Sequence, residues 1–166
     1  IACSFGCPYE GEVDPEHIAV IAEKVLQGNP DIIGLADSVG VAVPNQIKKT
    51  FSLIKELAPN LPLRTHLHNT RNTGLANAAA AIDAGVTIID SSTGGIGGCP
   101  FAPKATGNIP TDDLLYMLNR SGVETGVDLN LVVENSEWLE TKLGRAVPAM
   151  VPKAGIFPEN AEINMQ

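Results

Sequence analysis

IIGLADSVGVAVPNQIKKTFSLIKELAPNLPLRTHLH, residues 32–68, is the stretch from which the fold is read. Ile32, Ile33 and Leu35 form a short apolar run of strand type, and Ala36-Asp37-Ser38-Val39-Gly40 leaves it as a loop. From about Pro44 to Leu57 the apolar residues Ile47, Phe51, Ile54 and Leu57 recur on one helical face. Leu61 to His68 then reads as a strand again. A helix between two strands of one sheet works as a crossover, so the strands run parallel and the connection is right-handed.

The same unit repeats outward in both directions. Upstream, Ile1 to Phe5 reads as a strand with no lead-in, so the chain is expected to begin mid-fold. A turn over Gly6-Cys7-Pro8-Tyr9-Glu10-Gly11 follows it, then a helix from about Pro15 to Gln27. Asp14 is the expected N-cap of that helix and Pro15 its first residue. Downstream come an alanine-rich helix over Thr73 to Ala84, a strand over Val86 to Ser91 and a Gly-rich loop over Gly94 to Gly107. Helices over Thr111 to Arg120 and Asp128 to Leu143 complete the pattern. The expected organisation is four βα units with C-terminal helices over residues 1–145, and a Pro-rich tail over 146–166. Strict alternation implies an α/β fold with parallel strands. An open doubly wound sheet and half of a closed (β/α)8 barrel both satisfy it. In either, function sits in the loops after the strands, where the polar and Gly-rich segments of this chain are gathered.

Composition narrows the classes of partner. The 166 residues are 44% hydrophobic and 18% charged, enough to bury a core in one domain. Aromatics are only 4%, so Ala, Val, Ile and Leu must fill the interior. The formal net charge of −8 argues against nucleic acid and anionic membrane as main partners, since both need a basic footprint. An anionic small substrate stays open, because it needs only a local positive site. Three cysteines, an odd and low number, point to reduced thiols in a cytosol-like compartment. No run is long enough and apolar enough to read as a transmembrane helix.

Several residues at strand ends could carry chemistry. His66 and His68 are two apart at the end of a strand, so their imidazoles share a face and can approach one ion. Solvated or hydrogen-bonded histidines are the alternative. Cys99 is displayed on the Gly-rich loop, as an acid/base, a nucleophile or an inert thiol. Asn108 ends that loop, where it could cap the next helix or turn its side-chain carbonyl to a hard cation. Asp37 could be a base, an orienter or the acceptor of an Asx turn. Arg71 and Lys104 are basic residues near the His pair and the Gly-rich loop. Cys3 is expected in buried strand packing, and Cys7 in the first rim loop.

Five segments in register carry a family resemblance. Phe5-Gly6-Cys7-Pro8-Tyr9-Glu10-Gly11, the Gly-Ile-Gly-Gly-Cys-Pro-Phe-Ala loop ending in Thr106-Gly107-Asn108, and Asp112-Asp113-Leu114-Leu115-Tyr116-Met117-Leu118 resemble 3-hydroxy-3-methylglutaryl-CoA lyases. Ala36-Asp37-Ser38-Val39-Gly40 and His66-Leu67-His68-Asn69-Thr70 fall between them in the family's order. The resemblance implies the C-terminal half of a TIM (β/α)8 barrel and an Mg²⁺- or Mn²⁺-dependent carbon–carbon cleavage of an acyl-CoA thioester. It implies His66, His68 and Asn108 as metal ligands, Cys99 as catalytic, and Asp37 in proton transfer. It further implies a homodimer at full length, located in the bacterial cytoplasm or the mitochondrial matrix of a eukaryote.

Claisen-type synthases of the isopropylmalate kind share the fold and metal site. Their second histidine is usually followed by Asn-Asp, where this chain has Asn69-Thr70, and they lack the Gly-Gly-Cys-Pro loop. The cysteine loop favours the lyase branch. Asn69 departs from the Asp common after the second histidine in the lyases. The family's Arg-Asp pair on the first barrel strand has no counterpart among these 166 residues, so the missing N-terminal half is the expected partner of this one.

Overall fold

The computed structural model describes residues 1–98 and 106–157. A two-residue antiparallel hairpin, β1 (Gly6–Cys7) with β2 (Gly11–Glu12), precedes α1 (Pro15–Leu26). Then β3 (Ile33–Asp37), α2 (Pro44–Leu57), β4 (Leu63–Leu67), α3 (Gly74–Asp83) and β5 (Ile88–Asp90) alternate. A 3₁₀ turn at Thr93–Gly95 leads towards α4 (Thr111–Arg120), α5 (Leu129–Leu143) and the short α6 (Val151–Ala154). The sheet is parallel, in the order β3-β4-β5, with Ile33 opposite Leu63 and His66 opposite Asp90.

The alternation of burial along β4 selects between the two architectures left open by the sequence. Leu63, Thr65 and Leu67 are fully buried, whereas Arg64 is exposed and His66 is partly so. In β3 the buried positions are Ile33, Leu35 and Asp37, with Gly34 and Ala36 between them only half-buried. A doubly wound sheet carries helices on both faces and buries both. Here one face is covered and the other is open, as in a barrel wall cut from its opposite side.

The covered face holds the core. Ile47, Phe51 and Ile54 of α2 meet Leu35, Leu63 and Leu67 of the sheet, and Ala78 and Ala81 let α3 approach closely. Each large apolar side chain so buried contributes about 1.5–3 kcal/mol. Leu57, expected on that face, sits at the last position of α2 and is 38% exposed. The helix ends before the face turns under the sheet. Asp14 caps α1 by accepting from the Glu16 amide at 3.0 Å.

One segment departs from the sequence-based expectation. Ile1 to Phe5 is not a strand. Cys3 takes a left-handed backbone conformation (φ 53°) and donates its amide to Ser38 Oγ, which curls the segment. Cys3 is accordingly half-buried in a turn and not packed within a strand. The segment still covers the β3 edge, because Ala36 donates to the Ile1 carbonyl and Ser4 to the Ala36 carbonyl, both at 2.9 Å. At the other end, residues 147–151 pack back onto the fold. Val147 and Ala149 are buried, Ala149 donates to the Gly94 carbonyl, and the Met150 and Val151 amides converge on Asp113.

Candidate functional site

The carboxyl end of β4 presents the histidine pair. The pleat puts His66 on the open face, and His68 stands one residue beyond the strand. Their Nε2 atoms are 3.3 Å apart, with the rings edge to face at 62°. Two nitrogens each about 2.1 Å from one ion, at tetrahedral or octahedral angles, stand roughly 3.0–3.4 Å apart. The pair therefore has the spacing that two ligands of a single divalent cation require. His68 is buried, and its Nδ1 has no hydrogen-bond partner. Burial, and then the neighbouring His66, hold the His68 pKa below the usual histidine value, against the opposing pull of the Thr106 backbone and Asp37. A neutral ring keeps the lone pair that coordination needs.

Asn108 is brought beside His68 by the return of the chain after the Gly-rich loop. His68 and Asn108 form an antiparallel bridge, fixed by Asn69 donating to the Gly107 carbonyl and Ile109 to the Leu67 carbonyl, both at 3.1 Å. Gly107 permits this return, since a Cβ there would run into the Gly95 carbonyl. Asn108 does not cap α4; Pro110 occupies the N-cap and offers no side-chain acceptor. The Asn108 Nδ2 donates to the Ile96 carbonyl at 3.2 Å, which leaves the side-chain carbonyl as its end for a cation. Gly97 packs against that amide in a backbone conformation (φ 117°) that L side chains rarely adopt.

Asp37 ends β3 and is fully buried. Its two oxygens accept the Val41 and Ala42 amides, each at 3.0 Å, so the carboxylate organises the loop leading into α2. Burial raises its pKa above the ordinary carboxylate value, although the backbone amides and His68 pull the other way. Arg71 donates to the Val39 and Gly40 carbonyls at 3.2 and 3.0 Å and ties the rim loops after β3 and β4 together. Cys99 and Lys104 lie outside the described residues. Cys7 is half-buried in β1. Among the described residues, no three His, Cys, Asp or Glu side chains gather around one point.

Two charged residues at this site were not singled out from the sequence. Arg64, two residues before His66, and Asp90, at the end of β5, pair on the open face at 2.8 Å. A charge inside an apolar strand run at period-two spacing from a histidine was the available signal.

The chain matches the HMGL-like family model over residues 1–138. It is 47% identical over 160 residues to the (R)-citramalyl-CoA lyase of Chloroflexus aurantiacus, covering 96% of this chain and 50% of that protein. It is 38% identical to the mitochondrial hydroxymethylglutaryl-CoA lyase of Mus musculus, over 93% of this chain and 47% of the relative. An HMG-CoA lyase structure from Acinetobacter baumannii, in complex with coenzyme A and 3-methylmalate, superposes with a TM-score of 0.90 at 40% identity. That superposition covers 95% of this chain and 52% of the other. The chain thus spans about half the length of the relatives it matches. The one-sided parallel sheet, the residues gathered at its carboxyl end and these likenesses agree: the chain belongs to the HMGL-like family and forms part of its TIM-barrel-like domain.

Proposed function

We propose that this chain forms the carboxyl-side half of a divalent-cation-dependent lyase that cleaves 3-hydroxy-3-methylglutaryl-CoA to acetyl-CoA and acetoacetate. The observation that carries the reading is the facing pair of Nε2 atoms at the end of β4, 3.3 Å apart beside Asn108. His66, His68 and the Asn108 carbonyl would hold Mg²⁺ or Mn²⁺, which would supply the Lewis acidity that eases transfer of the substrate's tertiary hydroxyl proton to water. The oxygen then forms the ketone as the adjacent carbon–carbon bond breaks, and that electron pair passes to the thioester enolate. Cys99 delivers a proton to the enolate carbon, giving acetyl-CoA. Asp37 takes part through the rim loop that its carboxylate holds at the end of β3.

A second reading is favoured by the 47% identity to a citramalyl-CoA lyase, against 38% for the mouse enzyme. Citramalyl-CoA also carries a tertiary hydroxyl, on an acid arm one methylene shorter, and would yield a 2-oxo acid. One methylene in a binding pocket discriminates by about 10–200-fold. The full-length protein carrying this chain is to be assayed with both thioesters by acetyl-CoA release, with and without chelator. Release from either, lost with chelator and restored by Mg²⁺ or Mn²⁺, supports the class, and the larger kcat/KM names the substrate. No release from either overturns it.

A further inference from the structure

Asp90 has no role in the reading above, yet it stands directly beside one of the two histidines. Parallel register places it opposite His66, and its Oδ2 lies 3.5 Å from His66 Nδ1. Arg64 sits two residues before His66 on the same open face. Its Nε donates to both carboxylate oxygens, at 2.8 and 3.0 Å, while its Nη2 reaches Oδ1 at 2.8 Å. A guanidinium engaged through two nitrogens fixes the carboxylate plane. The three side chains thus form a chain from Arg64 through Asp90 to His66, ending 3.3 Å from His68.

Electrostatics decides the tautomer at the end of that chain. At 3.5 Å the contact is longer than a direct hydrogen bond and acts through charge. An unprotonated Nδ1 would still set a lone pair against an anion, so the hydrogen belongs on Nδ1. That leaves Nε2 bare, facing Nε2 of His68. We infer that Asp90, held by Arg64, is a positioning residue for His66: it keeps the hydrogen on Nδ1 and directs the Nε2 lone pair at the point shared with His68. This rests on the proposed cation site for its purpose, but the tautomer is measurable without any cation. Arg64 and Asp90 lie on the sheet face that the rest of the barrel would cover, so the tautomer and the melting temperature are read on the same full-length variants. The tautomer readout separates the positioning role from stability.

The test uses the metal-free full-length protein with ¹⁵N-labelled histidine, read by long-range imidazole correlations at a pH where the ring is neutral. Substitution of His66 by Gln assigns its signals. In the wild type His66 is expected as the Nδ1–H tautomer; in folded Asp90→Ala the Nε2–H form is expected to take over. Asp90→Asn, which keeps an acceptor, should restore part of the Nδ1–H form. It also serves as the informative variant should the alanine protein fail to fold. Mn²⁺ titration followed by electron paramagnetic resonance should show about 10–100-fold weaker binding in Asp90→Ala, the usual effect of losing a carboxylate behind a ligating histidine. A wild-type His66 in the Nε2–H form, or a tautomer indifferent to Asp90, overturns the inference. A wild type that binds no Mn²⁺ overturns the cation site instead, while the tautomer ratio still decides for or against Asp90.

Discussion

Two aspartates end the strands on either side of β4, and they are used in opposite ways. Asp37 closes β3 on the helix-covered side, fully buried, with both oxygens taken by the Val41 and Ala42 amides. Asp90 closes β5 on the open side, paired with Arg64 and near His66. One carboxylate holds its own backbone, and the other holds side chains that face a prospective ligand. The strand end alone does not make an acid catalytic. The face it occupies decides whether it serves the loop or the site.

The sharpest way to break this comparison is on the open face. His66 touches His68 and Asp90 and is not part of the apolar core, so His66→Ala should leave that core intact. Turnover of the full-length enzyme should nonetheless fall by about a thousandfold or more, the scale of losing a metal ligand. A variant that unfolds while the remaining folded protein stays active would reverse the assignment of faces. Cys99→Ala should lower turnover by about a hundredfold, the scale of losing a general acid, with Mn²⁺ affinity near normal. Turnover close to wild type would remove Cys99 from the chemistry.

On the covered side the expected effects are on stability. Asp37→Ala strands two backbone amides that now have an acceptor, which should cost about 2 kcal/mol in denaturant unfolding. A neutral result would mean that the loop finds other partners and that burial is a poor guide to the role of this residue. The smallest effect concerns Asp113, whose carboxylate clamps the Met150 and Val151 amides. Burial raises its pKa above the ordinary 3.8, against the lowering by those amides. The folded state then binds more protons than the unfolded one between the two values. The stability this contributes is present below 3.8 and is lost as pH rises through the folded value. Asp113→Asn lacks that loss. Its melting temperature relative to wild type should therefore rise as pH goes from about 3 to about 6. A relative fall over that range would contradict the raised value.

Much of the fold was legible because its signals are local. The N-cap at Asp14, the period of Ile47, Phe51 and Ile54, and the bounds of α2 and α4 follow from residues within one or two helical turns of each other. The placement of His66 and His68 at one strand end was legible for the same reason, and a bridge beside His68 is where the chain returns with Asn108. Where the reading of Ile1 to Phe5 failed, composition was apolar enough for a strand. A left-handed Cys3, stabilised by Ser38 from 35 residues away, curled it.

By itself, then, the sequence determined the order of elements, the parallel crossovers and the strand end that carries the histidines. Only the tertiary structure decided that the helices gather on one face of the sheet, that Asp37 is spent on its loop, and that Asp90 and Arg64 stand behind His66. It also decided that residues 149–151 return to Gly94 and Asp113. The reason is physical. Helix periodicity and capping act over a few residues along the chain. By contrast, the pairing of Asp90 with Arg64, 26 residues apart, depends on the register of two strands and on which way each pleat turns.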